Sequence, residues 1–501
     1  MRRRGFLAAA GLAALAGGCD GDRPAPASPP RRTRSASPSA TGPADWRALG
    51  EGLAGSLIRP GDDAYDEARK LYIPRFDRIR PAGIAYCAEP EDVRECVGFA
   101  RRRGLPVAVR SGGHGYAGWS TGTGLVIDVS PMNVVKSDAG RATVGAGARL
   151  IEVYEGLTDE GVSIPAGTCP TVGIAGLALG GGIGVLSRRH GLTCDVMEAV
   201  RLVTADGRIL DCDAEREPEL FWACRGGGGG NFGVAVEFAF RTHRAEDLTT
   251  FSLRWPWRRA AKALAAWQAW APGAPDELWS GLQINSEPSA GSPTLDVTGV
   301  AFGDPGPHLD RLTALVGSDP TSRGATGHGY LDAMRLMGGC ADGGVAECHR
   351  AGTLPGSRRD GGFPRTEYTA KSHVATRPLP ASAIEGLTRR FADGNGVAGR
   401  SVLLDALGGA TGRVRAGDTA FPHRGGLYTV QYIAATADRA WLRGLHGAME
   451  PHLGGAAYVN YADPELRDWR RAHHGAGYER LARVKRAYDL ERLFTFAQSI
   501  G

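Results

Sequence analysis

The chain has 501 residues, 42% of them hydrophobic and 23% charged, an ordinary balance for a soluble globular protein and enough length for two domains. Its formal charge of +5 sits at the start: residues 1–44 hold seven of the 59 basic residues and two of the 54 acidic ones, leaving 52 of each sign beyond them. A neutral body argues against a nucleic-acid partner, which would require a surplus of Lys and Arg to neutralise phosphates.

Residues 1–19 read as an export address. Arg2-Arg3-Arg4-Gly5-Phe6-Leu7 precedes an apolar stretch over 7–18 that is too short for a permanent membrane span. The Arg3-Arg4 pair resembles a twin-arginine signal, with an ordinary secretory signal as the alternative. Ala16-Gly17-Gly18-Cys19 resembles a lipobox in which Cys19 would be lipidated, although Ala stands where Leu is usual; a soluble cleaved product is the other outcome. Residues 20–44, rich in Pro, Ser, Ala and Arg, are expected to form a disordered linker. The expected location is extracellular or at the cell surface, with membrane contact only through Cys19.

From about 81 to 245, short apolar runs alternate with Gly-rich turns. The pattern predicts helices over 91–103 and 150–161 and strands over 107–109, 124–129 and 142–146. A hairpin over 199–210 is expected to turn at Ala205-Asp206-Gly207. From 246 to 455 the texture shifts to period-two strands, such as 250–255 and 428–433, joined by helical segments such as 260–271. This predicts an antiparallel sheet with helices on one face, and an α+β fold for the whole. Of nine cysteines, Cys340 and Cys348 flank a Gly-rich segment and are positioned to close a small loop. Cys87 and Cys96 are a second candidate pair, while Cys194, Cys212 and Cys224 read as buried thiols. No Cys/His spacing indicates a metal.

The chemistry is concentrated in three Gly-rich strings. Arg110-Ser111-Gly112-Gly113-His114-Gly115-Tyr116 follows a strand, and its glycines allow backbone N–H groups to approach a pyrophosphate. The second runs from Gly167-Thr168-Cys169-Pro170-Thr171-Val172-Gly173 through Gly176 to Gly180-Gly181-Gly182. It is neither a Walker loop nor a dinucleotide fingerprint. The third, Arg225-Gly226-Gly227-Gly228-Gly229-Gly230-Asn231-Phe232-Gly233, is another close-approach turn.

Together with Leu192-Thr193-Cys194-Asp195, Tyr458-Val459-Asn460-Tyr461-Ala462-Asp463 and Gln498-Ser499-Ile500, these strings resemble the FAD-linked oxidases of the vanillyl-alcohol oxidase type, and more narrowly the berberine bridge enzyme-like oxidases. The resemblance covers roughly residues 65–501. It implies a two-part PCMH-type FAD-binding domain over 45–245, a substrate domain over 246–455, and a C-terminal segment, 456–501, that returns to complete the FAD domain. One departure is His473-His474-Gly475-Ala476-Gly477-Tyr478, where the family often has two tyrosines and an asparagine.

The resemblance further implies FAD attached covalently twice, through His114 to the flavin 8α carbon and through Cys169 to C6. Cofactor contacts are expected from Arg110, Ser111, Gly112, Gly113, Gly115, Tyr116, Val172, Gly173, Gly176, Gly180, Gly181, Gly182, Gly233 and Asn460. Tyr461 is the expected catalytic base, with Tyr458, Gln431 and Asp405 as positioning or base-activating candidates. The implied reaction is oxidation of an alcohol (a sugar, an oligosaccharide or a bulky secondary alcohol), with O2 as acceptor and H2O2 as product. Val172 stands where a small residue accompanies oxidase behaviour. Trp255, Trp257, Trp267, Trp270 and Trp279 are candidates for a sugar-stacking platform or for core. A dehydrogenase using a quinone or other acceptor and a non-catalytic exported binding lipoprotein are the alternative readings.

Overall fold

The computed structural model describes residues 43–501; the expected export signal, Cys19 and most of the 20–44 linker lie outside them. Two sheets form the first part. One has four strands in the order Ser56–Ile58, Gly83–Tyr86, Leu125–Asp128, Val107–Arg110, the last three parallel. The other is a five-stranded antiparallel sheet in the order Val135–Asp138, Arg141–Gly145, Val234–Arg241, Met197–Val203, Ile209–Cys212.

Local signals explain the flanking elements. The helix Pro90–Arg103 opens on Pro, places Glu91 and Asp92 in its first turn and three arginines in its last, and ends at Gly104 with φ 60°. Each feature favours the helix end at which it stands. The expected hairpin turns where Gly207 has φ 85°, and Val203 faces Ile209 across it. The helix expected over 150–161 ends sooner, at Thr158.

Residues 248–434 build a seven-stranded sheet, antiparallel throughout, in the order Ser322–His328, Leu248–Trp255, Thr294–Ala301, Leu278–Asn285, Ser401–Ala406, Tyr428–Ala434, Thr369–Ala375. Successive side chains of a strand point to opposite faces. Leu282, Ile284, Val402, Leu404, Tyr428, Val430 and Tyr432 therefore share one core with the helices Ala260–Trp270, Ala381–Asp393 and Arg439–Leu453. Their neighbours Gln283, Leu403, Asp405 and Gln431 face the other way, into a cavity.

The C-terminal segment belongs to the first core. Phe494 and Ile500 pack within it. The buried Lys485 ammonium, on helix Tyr478–Tyr488, donates to Asn231 O at 2.5 Å, Phe494 O at 2.6 Å and Asp489 Oδ2 at 2.6 Å. Cys340 and Cys348 are joined in a disulfide. Cys87 and Cys96 are not: both stay free and buried, their sulfurs 4.0 Å apart. Cys194, Cys212 and Cys224 are buried thiols as well.

Candidate active site

The two motif loops meet backbone to backbone. A Cβ on Gly112 would lie 2.2 Å from Gly173 N, and one on Gly173 would lie 2.1 Å from Ser111 Oγ and 2.3 Å from Gly112 N. No side chain other than hydrogen fits at either crossing point. Gly113, with φ 67°, turns the chain immediately afterwards. This crossing presents His114 and Cys169 to one cavity of about 580 Å³, which runs between the first part of the fold and the cavity-facing side of the seven-stranded sheet.

Thr171 links the two side chains. Its Oγ1 is 2.6 Å from His114 Nε2, and its backbone and side chain hydrogen-bond the Cys169 sulfur. Burial dominates both groups. It holds the His114 imidazole well below its ordinary pKa, with the cationic Arg350 and Arg149 adding to the effect, so the ring stays neutral. It pushes the Cys169 thiol up to about 11, against the Thr171 hydrogen bonds. The His114 ring also stacks on Tyr72 with centroids 3.8 Å apart.

Across the cavity, Tyr461 lies nearly parallel to Tyr116, their ring centroids 5.7 Å apart, and edge-on to Tyr458. Gln431 Nε2 donates to the Tyr116 hydroxyl at 2.7 Å. Asp405 stands over Gly281, the residue opposite it in the neighbouring strand. Burial raises the Asp405 carboxyl to about 6, with a Thr429 hydrogen bond opposing. The Tyr461 hydroxyl is pushed well above its ordinary value by burial first, then by Asp405 and by the neighbouring tyrosines.

Of the expected cofactor contacts, Ser111, Gly112, Gly113, Gly115, Tyr116, Val172, Gly173, Gly176, Gly233 and Asn460 line this cavity together with His114 and Cys169. Four do not. Arg110 turns away to pair with Asp128, both groups buried. Gly180, Gly181 and Gly182 form a layer behind the wall, where added Cβ atoms would strike Asn460, Phe421 and Thr193 respectively. Their small size brings those side chains close rather than leaving room for a ligand.

Tyr458 also differs from a free catalytic group. Its hydroxyl accepts from Gly182 N at 2.9 Å, Ile183 N at 3.4 Å and Asn460 Nδ2 at 2.8 Å. It lines the cavity but serves as a brace for the 180–183 turn. Of the five candidate tryptophans, Trp255, Trp267 and Trp270 lie in the helix-side core and Trp257 packs against it; Trp279 lines the cavity, as does Trp119, which the sequence did not single out.

Sequence reasoning passed over Gln283, Thr298 and Tyr368 on the sheet side and Asn231 and Gln498 on the other. Period two in the strands would have selected the first two. The departing pair His473 and His474 lines the cavity too, each buried with one ring nitrogen unpaired.

The cavity suits a long, flat, phosphate-bearing cofactor. Gly176 has nothing within 4 Å of an added Cβ, so its face is open, and Gly228, Gly229 and Gly230 continue the glycine-lined wall. Buried polar atoms on that wall, His473 Nε2, His474 Nδ1 and Gln498 Oε1, have no partner within the protein. Buried groups of this kind are normally satisfied, here by something the cavity would hold.

Comparison with known proteins agrees with this architecture. A family model described as "FAD binding domain" matches residues 81–213 and one described as "Berberine and berberine like" matches 457–501. An uncharacterised FAD-linked oxidoreductase of Bacillus subtilis (strain 168) is 32% identical over 472 residues, covering 89% of this chain and 97% of the relative. The chitooligosaccharide oxidase of Gibberella zeae is 29% identical, covering 88% and 91%. Among solved structures, Physcomitrella patens BBE-like 1 superposes with a TM-score of 0.82 at 27% identity, covering 91% of this chain and 99% of that one. Fold, glycine-lined cavity and relatives together define an FAD-linked oxidoreductase with a PCMH-type FAD-binding fold. Within that class, the chain belongs to the berberine bridge enzyme-like family.

Proposed function

We propose that the protein is an exported oxidase that removes hydrogen from an alcohol carbon of a sugar, oligosaccharide or bulky secondary alcohol. FAD, held covalently by His114 and Cys169, would supply the two-electron acceptor. The observation that carries this reading is the placement of Asp405 and Tyr461 in the same cavity as His114 and Cys169.

The Tyr461 oxygen takes the proton of the substrate hydroxyl as its own phenolic proton passes to the neighbouring Asp405 carboxylate. A base must reach the hydroxyl it deprotonates, and the Tyr461 oxygen is neither spent on bracing a turn, as that of Tyr458 is, nor bonded to a neighbouring side chain, as those of Tyr72 and Tyr116 are. Gln431 holds Tyr116 parallel to Tyr461, fixing the wall against which a substrate would lie. The neutral imidazole of His114 keeps a nitrogen lone pair available for attachment, in keeping with a covalent link.

Carbohydrate as substrate class is supported by the relative named chitooligosaccharide oxidase and by the uncharged polar groups of the sheet-side wall, Gln283, Thr298 and Gln431. Val172, lining the cavity next to the attachment loop, supports O2 as acceptor and H2O2 as product. The disulfide Cys340–Cys348 supports export, because such bonds persist in oxidising compartments. Lipidation at Cys19 would then decide between a surface-anchored and a released form.

The test mixes oxygen-free protein with a panel of sugars and secondary alcohols. Bleaching of the flavin absorbance, followed by peroxide release in air, is the expected outcome. Reduction that needs a quinone and yields no peroxide would indicate a dehydrogenase. Absence of flavin from the purified protein would overturn the reading.

A further inference from the structure

Behind the Ser111-Gly112-Gly113 turn lies a second, separate recess of about 40 Å³ that the proposed oxidation does not use. Those three residues line it on one side and the large cavity on the other. Its charged lining is Lys70, Arg110, Arg149 and Arg350 against Glu67 and Asp128. Cations outnumber carboxylates two to one, and both carboxylates are already engaged.

Asp128 accepts from Arg110 Nε and from Ser130 N. Glu67 binds the loop over the recess, accepting from Thr353 N at 3.0 Å and Thr353 Oγ1 at 3.5 Å. Arg149 donates to Gly147 O and Ser130 Oγ. Arg110, 4% exposed, is different. Both of its terminal nitrogens are buried and lack a well-formed hydrogen bond; Tyr86, its ring 5.9 Å from the guanidinium carbon, makes only a loose polar contact with it. Among the described residues, no hydrogen bond or ion pair reaches the guanidinium of half-buried Arg350.

Buried guanidinium donors without acceptors are costly, and packing three arginines around one space adds mutual repulsion. An anion in that space would relieve both. We propose that this recess is a binding site for a small inorganic anion of chloride size, held by Arg110, Arg149 and Arg350. The volume bounds the size: one water needs roughly 10–15 Å³ on this measure, so the recess of about 40 Å³ takes a monatomic ion with about two waters beside it. The loop 351–357 closes the recess, with Gly356 so close to Arg149 that an added Cβ would lie 2.0 Å from its Nη2.

The experiment soaks crystals of the flavin-loaded protein in sodium bromide and reads the anomalous signal. A bromide peak in contact with the terminal nitrogens of Arg110 is the expected result. In solution, bromide or chloride should give a saturable rise in Tm over sodium gluconate at equal ionic strength, and Arg350→Gln should lose that rise. Water in place of bromide, cofactor phosphate extending into the recess, or equal stabilisation by gluconate would each overturn the proposal. If Arg350→Gln fails to fold, the anomalous map of the unsubstituted protein decides alone.

Discussion

Asp405 is placed by a strand that gives its neighbours Leu404 and Ala406 to the helix-side core, so its carboxylate has no choice but to face the cavity. Burial raises it to about 6. A carboxyl with a raised pKa is protonated below that value and charged above it, and only the charged form assists proton removal at Tyr461. Activity is therefore expected to climb with pH through about 6, and Asp405→Asn should lower kcat by roughly 10²–10³ and remove that limb from the kcat/KM profile. Tyr461→Phe should lose turnover by a factor on the order of 10²–10⁴, while denatured protein keeps its yellow colour; full activity would displace Tyr461 from the role. At the loop crossing, Gly173→Ala forces a methyl into Ser111 and Gly112, and the expected outcome is protein that purifies with little or no flavin.

At the level of elements, one strand separates folding from catalysis by residue parity. In Ser401–Ala406, Val402 is wholly buried against the helices, whereas Leu403 lines the cavity. Val402→Ala should cost about 1–3 kcal/mol in stability, read as a lower denaturant midpoint with little change in KM. Leu403→Ala should do the reverse, shifting KM with a small change in midpoint. The disulfide Cys340–Cys348 spans eight residues, and its loss should cost roughly 2–3 kcal/mol through the freedom returned to the unfolded chain. A Tm that is insensitive to reductant, with thiol counting to show the bond open, would contradict this.

For the whole molecule, closure of the site depends on residues far apart in sequence. Ile500 N donates to Asn231 Oδ1 at 2.9 Å, Gln498 Nε2 donates to Asp463 O at 2.8 Å, and Lys485 ties Asn231 and Phe494 together. Asn231, Phe494 and Gln498 all line the cavity. Lys485→Met would leave the buried Asp489 carboxylate without its cation, a loss expected to cost about 3–5 kcal/mol and to release flavin from any fraction not covalently attached. Calorimetry alongside flavin-to-protein absorbance ratios would check both effects. Arg188 makes a comparable tie elsewhere, its buried guanidinium donating to Leu278 O, Pro272 O, Leu407 O and Ala274 O.

What the sequence determined by itself was local: the Asp-Gly hairpin, the capped helix at Pro90–Arg103, the alternating strands, and the loops bearing His114 and Cys169, because turn chemistry and hydrophobic period act over a few residues. Its motifs also identified the family. It did not determine that Gly180, Gly181 and Gly182 stand behind the cavity wall, that Tyr458 braces a turn, or that Arg110 faces away from the cavity. Nor did it separate Trp279 from the tryptophans of the core. Only the tertiary structure decided these, since a glycine-rich string reads the same whether its open face meets a ligand or another side chain. Which of the two it meets depends on contacts hundreds of residues distant, such as Asn460 against Gly180.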